Sequence, residues 1–412
     1  MKMSDVSGFL IPAGFRFAAG KAGLKASGRP DFALILAETP AGEGASAAAV
    51  FTANKVSAAP LQVDKEHLAA TGGRVRVVAI NAGNANCAAG QAGLDAAYAT
   101  CAGAAVEFGC RPEEVFPSST GIIGVPLPAE KLIAAMPALK AELGSESDHF
   151  QQVAQAILTT DLVEKTAFLR LEIGGKEVRI AALGKGSGMI HPQLKPAVPH
   201  ATMLVYILTD AEIEPAVLQG MLNAAVDVSF NRISVDGDTS TNDTVLLLAS
   251  GASGVQIPAG YAPFEEALRQ VATSLAKQVV ADGEGATHVV ELQINGAVSD
   301  AEAVVVAKAI AHSPLVKTAW AGCDPNWGRL MAAIGYSGAQ IDPAKIDIWF
   351  GDLRICRDGG LAAEMDKAAA HDYLKQTEFS IRIELNQGSG NCVFWTTDLT
   401  AEYVRINADY ST

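Results

Sequence analysis

The chain predicts a mixed α/β fold, and three observations carry that expectation. Strand-like and helix-like runs alternate along the 412 residues, a Gly-Gly pair separates two β-rich runs, and the composition of 49% hydrophobic and 18% charged residues is that of a globular protein. The length suits two or three domain-sized units with a sizeable core. Ala33 to Glu38 and Val75 to Ile80 are short, apolar and β-rich, whereas Ala96 to Phe108 is Ala-rich with helical spacing. Phe168 to Ile173 and Glu177 to Ala182 flank Gly174-Gly175, a hairpin signal. Pro192, Pro196 and Pro199 exclude regular helix or strand over His191 to His200, which reads as an exposed loop. From Met203 the run Met-Leu-Val-Tyr-Ile-Leu reads as a buried strand. Phe264, Leu268, Val271, Leu275 and Val279 recur at helical spacing behind Pro263, which suits a first helical position. Val290, Leu292 and Ile294 alternate with Glu291 and Gln293 as in a half-buried strand. Phe379 to Leu385, then Asn386 to Asn391, then Cys392 to Thr396 predict a second antiparallel pair. Such hairpins argue against a purely parallel, doubly wound sheet.

Charge and cysteine usage narrow the function classes. A net charge of -14 without a long basic run argues against sequence-independent nucleic-acid binding, which needs clustered Lys and Arg. The stretch through Phe15 lacks a basic n-region followed by an apolar segment, and no run approaches the length of a membrane-spanning helix. The expectation is a soluble, cytoplasmic protein. Cys87, Cys101, Cys110, Cys323, Cys356 and Cys392 are scattered without a C-x-x-C pair, which suits reduced, mostly buried thiols rather than a disulfide framework or a zinc site.

The chemistry-bearing residue is Thr202, which follows Ala201 at the loop-to-strand junction. On local context it reads as a strand-starting threonine. A cut before it would change that, because a threonine at a chain's N-terminus has its own α-amine as base beside the hydroxyl. A second segment, Pro117-Ser118-Ser119-Thr120-Gly121-Ile122-Ile123-Gly124, has the small residues and hydroxyls that suit an oxyanion hole, and equally an ordinary turn. Other chemistries fit poorly. Counting an EF-hand from Asp236 puts Thr241 and Leu247 where Gly and Glu are needed, so Asp236, Asp238 and Asp243 are expected to order a turn through Asx-type hydrogen bonds. No H-E-x-x-H pair occurs among the seven histidines, and no metal is expected. Around Lys185, Arg179 replaces the first glycine of a phosphate loop and Gly186 its Ser or Thr. Ser187 fails the G-x-S-x-G pattern because Lys185 lies two residues before it.

Taken together, the motifs resemble the ornithine acetyltransferase, or glutamate N-acetyltransferase, family of arginine biosynthesis. The resemblance rests on Asn81-Ala82-Gly83-Asn84-Ala85-Asn86, Ser119-Thr120-Gly121, Thr159-Thr160-Asp161, Lys185 to Ile190 and Ala201-Thr202-Met203-Leu204. It continues through Asn231 to Asp243, Asp282 to Thr287, Asp324-Pro325-Asn326-Trp327-Gly328-Arg329 and Ile406 to Thr412. It implies a layered α/β sandwich, with helices covering packed sheets, that processes itself between Ala201 and Thr202 into an α segment of 1–201 and a β segment of 202–412. The implied activity is ping-pong transfer of acetyl from N2-acetyl-L-ornithine to L-glutamate through an acetyl-Thr202 ester. Thr120 and the backbone NH of Gly121 match the family's oxyanion hole. Thr159, Lys185, Thr202, Glu284, Asn407 and Thr412 match its substrate-binding set, Lys185 suiting the α-carboxylate and Glu284 an amine. Thr159 is chosen over Thr160, whose facing the sequence leaves open. The family also implies a heterotetramer of two α and two β segments. No cofactor is expected, and acetyl-CoA is a candidate second donor that would make the enzyme multifunctional.

One departure stands out. Gln193 to His200 lie between Pro192 and Ala201, lengthening the loop that presents the scissile carbonyl beyond the family pattern. Closure entropy grows slowly with length, so self-processing remains the expectation. A competing reading is an N-terminal-nucleophile amidohydrolase or aminopeptidase of related fold, with water as acceptor. A third is a non-catalytic binding protein that has no need of the Thr202 hydroxyl.

Overall fold

The computed structural model describes residues 9–51, 53–194 and 203–409, together with the backbone of 3–5. Three mixed sheets account for its strands. The first runs in the order Met3–Asp5, Lys165–Ile173, Lys176–Lys185, Leu204–Thr209, Thr244–Ala249, Ala45–Phe51, Arg74–Val75. The second contains Phe15–Gly20, Phe32–Ala37, Val77–Asn84 and Val115–Ile122. The third runs Ile233–Ser234, Gly390–Thr397, Val289–Ala297, Glu378–Glu384, Asp347–Phe350, Leu353–Arg357, Gly360–Leu361.

Alternation along the strands divides the first two sheets into layers. Leu204, Tyr206 and Leu208 share one core with Phe17, Ile35, Ile80 and Phe116 of the second sheet. Their neighbours Val205 and Ile207 face the other way, onto Leu222 of the helix Pro215–Asp227 and Leu268 and Leu275 of the helix Ala262–Ala281. On the far face of the second sheet, Phe32, Leu34 and Val77 meet Val63, Cys101 and Leu132 from the helices Ala59–Thr71, Gly90–Phe108 and Ala129–Ala141. The order is therefore helix, sheet, sheet, helix, each strand's period of two feeding two cores. The third sheet has its own core, in which Leu292, Phe350 and Phe394 pack on Val306, Trp320 and Leu330 of three further helices.

Local expectations hold closely. Gly174 and Gly175, both at positive φ (59° and 76°), close the hairpin between Lys165–Ile173 and Lys176–Lys185. The run from Met203 gives the wholly buried strand Leu204–Thr209. Three expectations need correction. In the described part of the loop His191 to His200, His191, Pro192 and Leu194 are buried and only Gln193 is exposed, because Leu194 packs into the core of the first sheet and its helices. The stretch Val75 to Ile80 is not one strand, because Arg74–Val75 pairs with Ala45–Phe51 in the first sheet and Val77–Asn84 enters the second. Nor do Phe379–Leu385 and Cys392–Thr396 pair with each other, since Val289–Ala297 lies between them, parallel to one and antiparallel to the other. The connecting loop crosses the end of that inserted strand. Gly388 and Gly390 approach the backbone of Ala297 and Ser299 so closely that a Cβ would sit 2.4 Å and 2.1 Å from it.

Among the described residues no helix is long and apolar enough to cross a membrane. The six cysteines are free thiols.

Candidate active site

The site forms at one end of the gap between the first two sheets. Thr120 and Gly121 lie near the end of Val115–Ile122, and Lys185 ends Lys176–Lys185, opposite Leu204 in the adjacent antiparallel strand. Side chains from the two sheets meet there. The Lys185 ammonium donates to Thr159 Oγ1 at 2.9 Å and to Thr120 Oγ1 at 3.2 Å. Of the paired threonines, then, Thr159 supplies the hydroxyl that Lys185 reaches. The Thr159–Thr160 turn is fixed by Asp161, whose Oδ2 accepts from the Thr159 backbone NH at 3.1 Å.

Gly121 is at φ 133°, paired with Gly83. A Cβ there would lie 2.3 Å from the Gly83 carbonyl carbon, so the close strand approach admits only glycine. The neighbouring strand ends are tied by Ser119 Oγ donating to Asn81 Oδ1 at 2.6 Å and by Asn242 Nδ2 donating to the Ser119 carbonyl at 2.8 Å.

Beneath Lys185 is a buried set of charges that the sequence reading missed. Lys165, wholly buried, donates to Asp161 Oδ1 at 2.7 Å and to Asp282 Oδ2 at 2.6 Å. Asp161 Oδ1 also accepts from the Gly186 NH at 2.6 Å, and its Oδ2 is 3.9 Å from Lys185 Nζ. Two lysines against two carboxylates satisfy the requirement that buried charges be paired. Burial acts to raise the Asp161 pKa, but Lys185 and Lys165 outweigh it and hold the carboxyl well below its usual range. Burial pushes the Lys185 ammonium down, with Asp161, Asp243 and Glu284 opposing and Lys165 adding to the fall. Asp161 and Asp282 each sit inside a recognised motif, which was the available signal. Lys165 lies in a plain strand and had none.

Glu284 occupies the second part of the site. Its backbone NH donates to the Ser187 carbonyl at 3.2 Å, and its carboxylate covers Gly188, where a Cβ would lie 2.4 Å from it. Asn407, on the helix Ala401–Asp409, donates to Glu284 Oε2 at 2.9 Å. That helix docks because Gly285, at φ 67°, leaves room for the backbone of Tyr403, 2.4 Å from where a Cβ would stand. The Met189 and Ile190 NH groups donate to Asp236 at 2.7 Å and 2.9 Å, and the Asp238 NH to Asp236 Oδ1 at 3.1 Å. Asp236 thus orders an Asx-type turn that also holds the Gly-rich segment. Glu284 and Asn407 form one contact set, and Thr120, Thr159 and Lys185 another, linked through the segment 185–190. Thr202, Ala201, Thr412 and the loop positions 195–200 lie outside the described residues. A cavity of about 580 Å³ opens elsewhere, beside Lys55, Ser57 and Asn86, and none of the predicted site residues lines it. Among the described residues, no group of three or more His, Cys, Asp or Glu could hold a metal ion.

A buried lysine thus bridges two threonine hydroxyls from different elements, and an acid–amide pair, Glu284 and Asn407, stands at the Gly-rich segment that follows it. The family follows from comparison. Residues 16–412 match the model of the ArgJ family, and the chain belongs to that family. It is 44% identical over 403 residues to the arginine biosynthesis bifunctional protein ArgJ of Geobacter sulfurreducens, a match covering 97% of this chain and 99% of that protein. Among solved structures, the Bacillus halodurans arginine biosynthesis bifunctional protein is 43% identical with a TM-score of 0.48, covering 50% of this chain and 98% of its own. Ornithine acetyltransferase from Mycobacterium tuberculosis, solved with ornithine, is 35% identical with a TM-score of 0.43, covering 47% of this chain and 100% of its own.

Proposed function

We propose that the chain is an acyltransferase of arginine biosynthesis that moves an acetyl group from N2-acetyl-L-ornithine to L-glutamate. The observation that carries this reading is Lys185, which joins the Thr120 and Thr159 hydroxyls at the strand position opposite Leu204, two residues beyond the proposed nucleophile Thr202. The curated relative's name supports the pathway.

In the proposed sequence, the Thr202 hydroxyl first attacks the Ala201 carbonyl. The peptide nitrogen leaves as the new α-amine, and water hydrolyses the resulting ester, leaving Ala201 with a free carboxylate while the two segments stay packed together. The freed amine, with a reference pKa of about 7.7 to 8.0, is matched to base catalysis near neutrality. It takes the hydroxyl proton as Thr202 attacks the acetyl carbon of N-acetylornithine. That proton passes to the leaving ornithine nitrogen, and the acetyl group stays on Thr202. The glutamate amine then attacks the ester, forming N-acetylglutamate and restoring the hydroxyl. Thr120 and Gly121 stabilise the oxyanion in each step, where one lost donor typically costs about 100- to 1,000-fold in rate. Lys185 suits the substrate α-carboxylate and Glu284 the ornithine amine. Acetyl-CoA as a second donor, a heterotetramer of two α and two β segments, and a cytoplasmic location belong to the same reading.

The test is transfer of labelled acetyl from N2-acetyl-L-ornithine to L-glutamate, with acetyl-CoA as donor in a parallel arm. Labelled N-acetylglutamate in the first arm is the expected result. Free acetate without N-acetylglutamate would replace the reading with a hydrolase.

A further inference from the structure

Lysine carries three donors and no acceptor, whereas a threonine hydroxyl carries one donor and two lone pairs. Lys185 Nζ stands 3.2 Å from Thr120 Oγ1, so while Lys185 is charged the only hydrogen bond these groups can share runs from the ammonium to the hydroxyl oxygen. Thr120 cannot direct its proton back at Lys185, and its own O–H is left for another acceptor. The position of the ammonium is itself constrained. Asp161 Oδ2 is 3.9 Å away, and Asp161 is anchored by Lys165, by the Gly186 NH and by the Thr159 NH. Thr120 and Lys185 are both almost wholly buried, where a charge-assisted hydrogen bond keeps much of its strength.

We infer that Lys185 is a positioning residue for the oxyanion hole, its ammonium turning the Thr120 hydroxyl proton into the cleft and polarising that O–H, with Asp161 the counter-charge that keeps the ammonium in place. This rests on the acetyl-transfer reading and adds to it a role for Lys185 that needs no substrate carboxylate, and a role for Asp161. The charged groups acting on Lys185 are Asp161 of the Thr159 turn, Lys165 of the adjacent strand, Asp243, and Glu284. Lys25, whose Nζ donates to the Pro30 and Ala156 carbonyls at 2.8 Å, feels Lys185 in turn. Asp161 favours the charged form of Lys185, so its neutralisation should let the ammonium lose its proton at lower pH.

Two reactions lack an amino-acid carboxylate and so separate this role from substrate holding: acylation by p-nitrophenyl acetate and self-cleavage. Wild type, Lys185→Met, Thr120→Ala, the double variant and Asp161→Asn are compared by acylation rate when processed, and by cleavage rate when purified uncut. Each of Lys185→Met and Thr120→Ala should slow the reaction by about 100- to 1,000-fold. The double variant should be no slower than the slower single one, because both remove the same donor. Asp161→Asn should move the alkaline fall in rate to lower pH. Unchanged rates in Lys185→Met, losses that multiply in the double variant, or an Asp161→Asn profile whose alkaline limb stays in place would overturn the inference. A variant series that shows these couplings, with wild type that fails to pass acetyl from N-acetylornithine to glutamate, would count against the functional reading alone.

Discussion

Gly121 shows how tightly single residues are specified at the site. Its φ of 133° and the Gly83 carbonyl carbon, 2.3 Å from where a Cβ would stand, leave no room for a side chain. Gly121→Ala should lower stability by about 1–3 kcal/mol through backbone strain and strand separation. On the proposed mechanism it should also cut acetyl transfer by about 100-fold or more as the proposed backbone donor moves. Thermal unfolding and steady-state rates check both, and a variant with wild-type values would remove Gly121 from the oxyanion hole. The motif around Gly121 was readable in the sequence because its residues are contiguous. Which of Thr159 and Thr160 meets Lys185 was not, since it depends on Lys185 arriving from another strand. The bridge from Lys165 to Asp282 spans 117 positions and leaves no local pattern.

At the scale of elements, a histidine pair joins the Gly-rich segment to the third sheet's helices. His191 follows Ile190, His312 caps the helix Asp300–Ala311, and their rings stand 4.2 Å apart with Nε2 of His312 3.3 Å from Nδ1 of His191. Burial, then His312 and Lys308, push His191 down to about 3; burial, then Lys308 and Lys317, push His312 down to about 4. Both pKa values fall below the unfolded value of about 6.5, so between roughly pH 6.5 and 4 the unfolded chain binds more protons than the folded one. The stability that these neutral histidines support is present above about pH 6.5 and is lost as pH falls through that window. His312→Asn should therefore show a smaller drop in thermal midpoint from pH 7 to pH 5 than wild type; an equal or larger drop would contradict this role for the pair. The helix Ala262–Ala281 offers a plainer test. Leu275 is fully buried against the first sheet, and Leu275→Ala should cost about 2–5 kcal/mol in denaturant unfolding. That helix was legible because its spacing is local, as was the Gly174-Gly175 hairpin. The strand order of the third sheet was not, because Val289–Ala297 comes from far upstream to lie between two strands that adjoin in sequence.

Across the whole molecule, the proposed cut would not divide structural units. Strand Lys176–Lys185 lies before it and Leu204–Thr209 after it, yet they pair along six positions at the centre of the first sheet. The second sheet lies entirely within 1–201, and packs on strands from both sides of the cut. Two processed segments should accordingly co-elute under native conditions and separate only in denaturant. Dissociation in native buffer would contradict the shared core. The layered sandwich came into view through the family motifs. Composition and hairpins alone reached only a mixed α/β class, since layering depends on which sheet each strand joins.

Passage of the acetyl group through Thr202 is the central claim. It is tested most directly by mass measurement of the purified protein after incubation with N2-acetyl-L-ornithine in the absence of glutamate. The expected result is two segments, 1–201 and 202–412, with one acetyl group on Thr202 of the second, lost again when glutamate is added. Active enzyme that remains a single chain of 42.7 kDa, or that transfers acetyl without ever carrying it on Thr202, would contradict it.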